Sequence, residues 1–309
     1  MVNQSEIQPK YRRRMKQVLG FNFYDVFVFV FCVGFALICF YPMWYVLIAS
    51  VMPYEEYIGN SAFLLWPKTF DFQYYQAIFA TKAFTSSLWI STSKTILATA
   101  LSLAVTSTMA YAVSKTHIKG MKVINALVVF NLFFTGGLIP EYMNYMMLGM
   151  LRSYWVMVIP SALNITYFII MRNFFSYSVP QELEEAARID GCNDLMVYFR
   201  IIVPLSKPMF AAVGLFIAVI NWNDYYNYMM FIANKPALQP FAWILHRTLV
   251  DPTMMNQVRT GAQGIGLQLP PPMALRMATI ICAMLPIMCV YPFLQPYFAK
   301  GILLGAVKE

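Results

Sequence analysis

From Val26 to Tyr54 the chain carries no charged side chain, and the same pattern recurs five more times. Ala83–Ser114 holds only Lys94, Val123–Pro140 and Ser153–Met171 hold none, Pro208–Asn234 holds only Asp224, and Met277–Ala299 holds none. A helix crosses a bilayer with about 20 mostly apolar residues. The runs therefore predict an all-α membrane protein with six transmembrane helices, over residues 26–50, 86–113, 122–140, 153–174, 208–232 and 274–298. Of the 309 residues 60% are hydrophobic, above the roughly 45–50% of soluble domains.

Lys and Arg between the runs set the orientation, because positive loops stay in the cytoplasm. With the N terminus inside, the inner segments carry fourteen of these residues and the outer segments six. Both termini are expected in the cytoplasm. The net charge of +8 then follows from topology, and the basic run Tyr11–Lys16 reads as an anchor beside anionic lipid rather than a nucleic-acid site. The first run follows a basic stretch as a secretory signal does, but it is too long and lacks a small-residue cleavage site, so it is expected to stay as an uncleaved anchor. Cys32, Cys39, Cys192, Cys282 and Cys289 avoid the outer loops where a disulfide would persist, and their spacing is no paired metal-ligand signature. Buried packing is their expected role.

Residues 1–22 form a basic N-terminal segment, 23–299 one membrane domain and 300–309 a C-terminal tail. Gly136, Gly137 and Pro140 are expected to end the third span, and the short "EYMNYMMLGML" after them fits an interfacial helix. A long outer loop is expected from Ala233 to Pro272. His117 and His246 fall in loops on opposite sides of the membrane and cannot form one site.

One segment breaks the apolar pattern: "PQELEEAARIDGCNDLMVYFRIIVPLSKP", within the inner loop 178–207 and its boundary. Pro180 suits a first helical turn, where a missing N–H loses no bond. Glu182, Glu184 and Glu185 then put negative charge at the positive end of the helix dipole. Leu183, Ala186, Ala187 and Asp190 recur at i, i+3, i+4 and i+7 and are expected to share one shallow face. Gly191 suits a left-handed cap, Asn193 or Asp194 can open a second helix, and Pro204 is expected to stop it. A helix, a tight turn and a second helix make a knob fit for a groove on another protein. The plainer alternative is a solvated charged loop, which does not need the Ala pair, the Gly and the Pro at these offsets.

"EEAARIDGCNDLMVYFRIIVP" resembles the EAA motif of ATP-binding-cassette importer permeases, through Glu185, Ala186, Ala187, Gly191, Ile201 and Pro204. The stretches "GGLIPEYMNYMMLGMLRSYWVMVIP", "IIMRNFFSYSVPQELEEAARIDG", "NWNDYYNYMMFI" and "LQPYFAKGILLGAVKE" look like carbohydrate permeases of the maltose-transporter type, oligosaccharide branch. The resemblance implies a type I importer permease fold in a bacterial cell membrane, with the knob as a cytoplasmic coupling helix. It implies a second, related permease, two ATPase subunits, an extracytoplasmic solute-binding lipoprotein and a carbohydrate substrate. Glu184, Glu185, Ala186, Ala187, Asp190, Gly191 and Pro204 are then the expected ATPase-coupling residues.

No phosphate loop G-x-x-x-x-G-K-[ST] occurs; "GAQGIGLQLP" lacks the Lys and lies in an outer loop. ATP and Mg are therefore expected in the partner ATPase, with no cofactor, metal or catalytic residue in this chain. For substrate, "NWNDYYNYMM" offers aromatic surfaces with amides and a carboxylate. Asn221, Asp224, Tyr225 and Tyr228 share a helical face, with Trp222 and Tyr226 elsewhere; Asn221, Trp222, Asn223, Asp224, Tyr225 and Lys94 are the candidate pathway residues. A carboxylate inside a span normally faces a polar cavity or a partner; the competing reading is an interfacial aromatic belt, the plainer of the two. Lys94 either lines the pathway or snorkels to the nearer interface, again the plainer reading. Two alternatives stand beside the sugar permease: an importer permease for a peptide or phosphonate, which shares the docking loop, and a secondary transporter, which would leave the knob without purpose.

Overall fold

The computed structural model describes residues 23–59, 64–115, 118–177, 179–233, 235–253, 256, 259, 260, 263 and 272–306. The N-terminal segment 1–22, His117 and nearly all of "GAQGIGLQLP" lie outside them. Among the described residues all regular structure is helical. Among the described residues four helical stretches are long and apolar enough to cross a membrane, and up to six spans result if two bent pairs each count as one.

The chain divides into two compact units, residues 1–71 and 72–309. In the first, α1 (Phe23–Val51) is apolar all round, as a membrane span is. Phe27, Phe31 and Phe35, one turn apart, stack along its exposed face at 6.4 and 6.5 Å. The short α2 (Tyr54–Gly59) is tied back by a hydrogen bond between the hydroxyls of Tyr45 and Tyr57 at 3.0 Å.

The second unit is built on α4 (Lys82–Ser114), preceded by α3 (Gln73–Ala80). Its buried positions Ser87, Ser91, Lys94, Ala98, Ser102 and Thr106 recur every three or four residues, so small and polar side chains line one inward face. Small residues let helices approach closely where lipid removes any hydrophobic gain from pairing. Against this face pack α7 (Ile165–Tyr177) and α10 (Lys207–Asn223). The last helix, α12 (Pro272–Ala306), packs on α10 and on α11 (Phe241–Val250).

Three expected spans are interrupted. The third is α5 (Met121–Phe133), which ends before the glycines, then α6 (Leu138–Met147) at 119° to it; Gly137, at φ +82°, takes the left-handed half of the map that a side chain would oppose. The fourth opens as two 3₁₀ turns, Tyr154–Met157 and Ile159–Ala162, before Asn164 Oδ1 accepts from Tyr167 N and starts α7. The fifth leaves helical geometry at Asp224. The expected outer loop also folds: α11 carries His246 and buries Phe241 and Ile244 completely. Of the five cysteines only Cys282 is buried within the chain; Cys32, Cys39 and Cys289 are exposed on their helices.

Candidate functional site

The polar insert folds as an elbow. Its first arm, α8 (Gln181–Ile189), has Glu182 and Glu184 in the first turn and Arg188 in the last, each charge complementing the helix dipole. Gly191 sits at φ +85°. Its N–H donates to Arg188 O and the N–H of Cys192 to Ala187 O, the paired bonds of a Schellman cap. Asn193 then opens the second arm, α9 (Asp194–Leu205), its Oδ1 accepting from Met196 N at 2.8 Å. Pro204 does not stop this arm. Tyr198–Ile202 widens into a π turn, which absorbs the bond a proline cannot make, and the chain turns 82° only after Leu205.

The expected shallow face is divided. Ala187 points inward and is buried with Val179, Val197, Tyr198 and Ile202 against Ala110, Tyr111, Phe168 and Phe175. Ala186, Glu185, Asp190, Leu183 and Ile189 stay exposed. The division follows from Glu184, one turn before Ala187 on the same inner side and 6% exposed. Its carboxylate pairs with the ammonium of Lys115 and accepts from the hydroxyl of Tyr111. Lys115 also lies 4.6 Å over the ring of Tyr111, a cation–π contact. Tyr198 completes the joint: its hydroxyl meets Ser107 Oγ at 2.6 Å and its ring packs on Tyr111 at 5.3 Å. The elbow is thus bolted to the C-terminal end of α4, with a second face left open.

Further along α4 a cavity of about 300 Å³ opens between α4, α6, the 159–162 turn, α7 and α10, lined among others by Ser102, Glu141, Asn164, Asn221, Asp224 and Asn227. Asp224 is held hard. Lys94 Nζ donates to its Oδ2 and to its backbone oxygen, both at 2.8 Å, while Asn227 donates through its backbone N and Nδ2. These bonds explain why α10 ends at Asn223: Asp224 caps the next turn instead of continuing the helix.

The expectation that Lys94 snorkels is therefore overturned, since at 1% exposure its charge is answered inside the bundle. The shared helical face of Asn221, Asp224, Tyr225 and Tyr228 does not form either, because the helix has stopped. Of the candidate residues Asn221 and Asp224 line the cavity and Lys94 stands behind Asp224. Trp222 donates its indole N–H to Ala283 O and packs on α12, and Asn223 bonds back to Val219 O. Tyr225 stacks on His246 at 4.6 Å beside Trp243, so these aromatics do not form an outward-facing belt. Ser102, Glu141, Asn164, Tyr167 and Asn227 were not anticipated; the signal available for Ser102 was its place in the inward stripe of α4.

Capped elbow and polar cavity on one helix agree with the comparison of the chain to known families: residues 120–304 match the model of the binding-protein-dependent transport system inner membrane component. The chain belongs to that family. The polygalacturonan/rhamnogalacturonan transport system permease protein YtcP of Bacillus subtilis (strain 168) is 40% identical over 290 residues, 92% of this chain and 98% of that protein. Protein LplC of the same organism is 39% identical over 285 residues, 92% of this chain and 95% of its own. Among solved structures, a bacterial ABC transporter involved in the import of the acidic polysaccharide alginate contains a chain 29% identical, with a TM-score of 0.79 over 89% of this chain and 96% of that one. The protein is accordingly a multi-pass membrane permease subunit with the type I ABC permease fold, a transport component rather than an enzyme. Nucleotide and Mg act through the partner ATPase of such a system.

Proposed function

We propose that the chain forms half of the translocation pathway of an ATP-driven carbohydrate importer, with both termini in the cytoplasm. A second, related permease supplies the other half, two ATPase subunits sit below, and an extracytoplasmic binding lipoprotein delivers the sugar. The names of the relatives support a saccharide cargo: YtcP is named for polygalacturonan and rhamnogalacturonan transport, and the alginate importer for an acidic polysaccharide.

The observation that carries the reading is the double attachment of α4. Lys115, at its C-terminal end, holds the elbow through Glu184, and Lys94 on the same helix holds the cavity residue Asp224. The two lysines are 21 positions apart, roughly 30 Å along a helix that rises 1.5 Å per residue. A movement of the elbow, driven by the ATPase against its exposed Leu183, Glu185, Ala186 and Ile189 face, is passed to the cavity by a rigid rod. Glu184 and Ala187 act on this rod rather than on the ATPase. Reconstituting the full transporter and measuring saccharide uptake against ATP hydrolysis tests the reading: uptake must need the loaded binding protein and ATP. Uptake driven by an ion gradient with no ATPase present would contradict it.

A further inference from the structure

We infer that the cavity between α4, α7 and α10 is a subsite for one uncharged sugar ring, built to receive hydroxyls and to turn away a carboxylate; this rests on the carbohydrate reading and adds the chemistry of the cargo at this point of the pathway. Donors and acceptors carry the argument. Ser102 is fully buried, lines the cavity, and its Oγ has no hydrogen-bond partner among the described residues. A buried hydroxyl left open is unfavourable, and native proteins rarely leave one. Asn164 commits its Oδ1 to Tyr167 N, so its Nδ2 donors stay available. Asn221 and Asn227 give their Nδ2 groups to Ile217 O and Asp224 Oδ2, leaving the Oδ1 atoms as acceptors. Glu141 takes the Tyr145 hydroxyl on Oε1, and Oε2 remains.

A sugar hydroxyl both donates and accepts, so it satisfies each of these groups. An ionised carboxylate only accepts and would meet Glu141 and Asp224 with no Lys or Arg among the lining residues. The ammonium that would otherwise answer it, on Lys94, is already committed to Asp224 and lies behind it. Tyr167, also in the lining, adds an aromatic surface for the apolar face of a sugar ring. About 300 Å³ is at the small end of ligand pockets, which run from roughly 300 to 1,000 Å³, and suits one ring rather than a chain.

Galactotriose and trigalacturonate test this, because they differ in the oxidation of C6 and keep the same ring stereochemistry. Both are titrated by competition saturation-transfer NMR against the complete importer in nanodiscs, without its binding protein. The neutral probe is expected to bind tighter by roughly tenfold, the effect of leaving a charged group without a partner. Ser102→Val weakens it by roughly five- to tenfold, the loss of one hydrogen bond. Asp224→Asn removes a negative charge, uncovers Lys94 and closes or reverses the gap. Glu141→Gln leaves the ion pair intact and narrows the gap in the same direction, so the outcome does not hang on the folding of one variant. Equal or tighter binding of trigalacturonate, with a ratio that none of the three variants moves, overturns the subsite and leaves the importer intact. Binding of neither probe by a complex that still transports saccharide does the same, whereas loss of both binding and transport for every saccharide removes the carbohydrate reading as well.

Discussion

Lys94 and Asp224, 130 positions apart, meet as an ion pair at 2.8 Å with the lysine 1% exposed. The pair joins α4 to the break at the end of α10 and neutralises two charges that membrane burial would otherwise oppose. Losing one partner strands the other. Lys94→Met is expected to destabilise the assembled permease by about 3–5 kcal/mol, while Lys94→Met with Asp224→Leu loses much less, because no buried charge is left over. Thermal unfolding of the purified complex, run as a double-mutant cycle, reads the difference. Additive losses would show that the two side chains do not act as a pair.

Gly191 tests the elbow cap. Its φ of +85° opposes any side chain, yet an added Cβ meets nothing within 4 Å, so the penalty is torsional alone. Gly191→Ala should cost about 1–2 kcal/mol and leave transport measurable. Gly191→Pro cannot adopt that φ and deletes the N–H that bonds Arg188 O; it should abolish transport and the ATPase stimulation caused by loaded binding protein. A Gly191→Pro transporter with both rates intact would remove the elbow from the coupling path.

Gly214 on α10 lies against α4: a Cβ there would stand 3.1 Å from Leu103 Cδ1. The leucine tip gives by a few tenths of an ångström for Gly214→Ala, so assembly should persist with little loss. Gly214→Leu overpacks the contact and should cost about 1–3 kcal/mol. The yield of intact complex on size exclusion ranks the variants; equal yields would mean that the two helices are free to separate.

Local features of the elbow were legible in the sequence, and distant ones were not. Gly191 and Asn193 act through bonds to residues within five positions, so residue type and spacing sufficed to place them. The inward turn of Glu184 depends on Lys115, far away in sequence, and periodicity alone put Ala187 on the open face. The same holds at the cavity: helical spacing was carried through Asp224 because the bonds from Lys94, 130 positions away, are a tertiary fact, and the local bonds from Asn227 act together with them. The six runs located the apolar segments well, the glycines and proline marked the break after Phe133, and the bend after Leu205 falls where the fifth run was expected to begin, but continuous hydropathy does not register the end of α10 at Asn223. The stripe Ser87, Ser91, Lys94, Ala98, Ser102 and Thr106 was readable in hindsight of its period, and it is the feature that turns α4 toward the protein interior.

Coupling through the Glu184–Lys115 pair at the C-terminal end of α4 is read most directly from the saccharide moved per ATP hydrolysed by the complete transporter in proteoliposomes. Glu184→Gln and Lys115→Gln each remove one charge from a charge-assisted bond of about 1.5–3 kcal/mol, and each should lower that ratio several-fold while leaving the ATPase bound. Exchange of the two residues, Glu184→Lys with Lys115→Glu, should restore part of it. A ratio unchanged in both single variants, or exchange no better than either alone, would contradict the account.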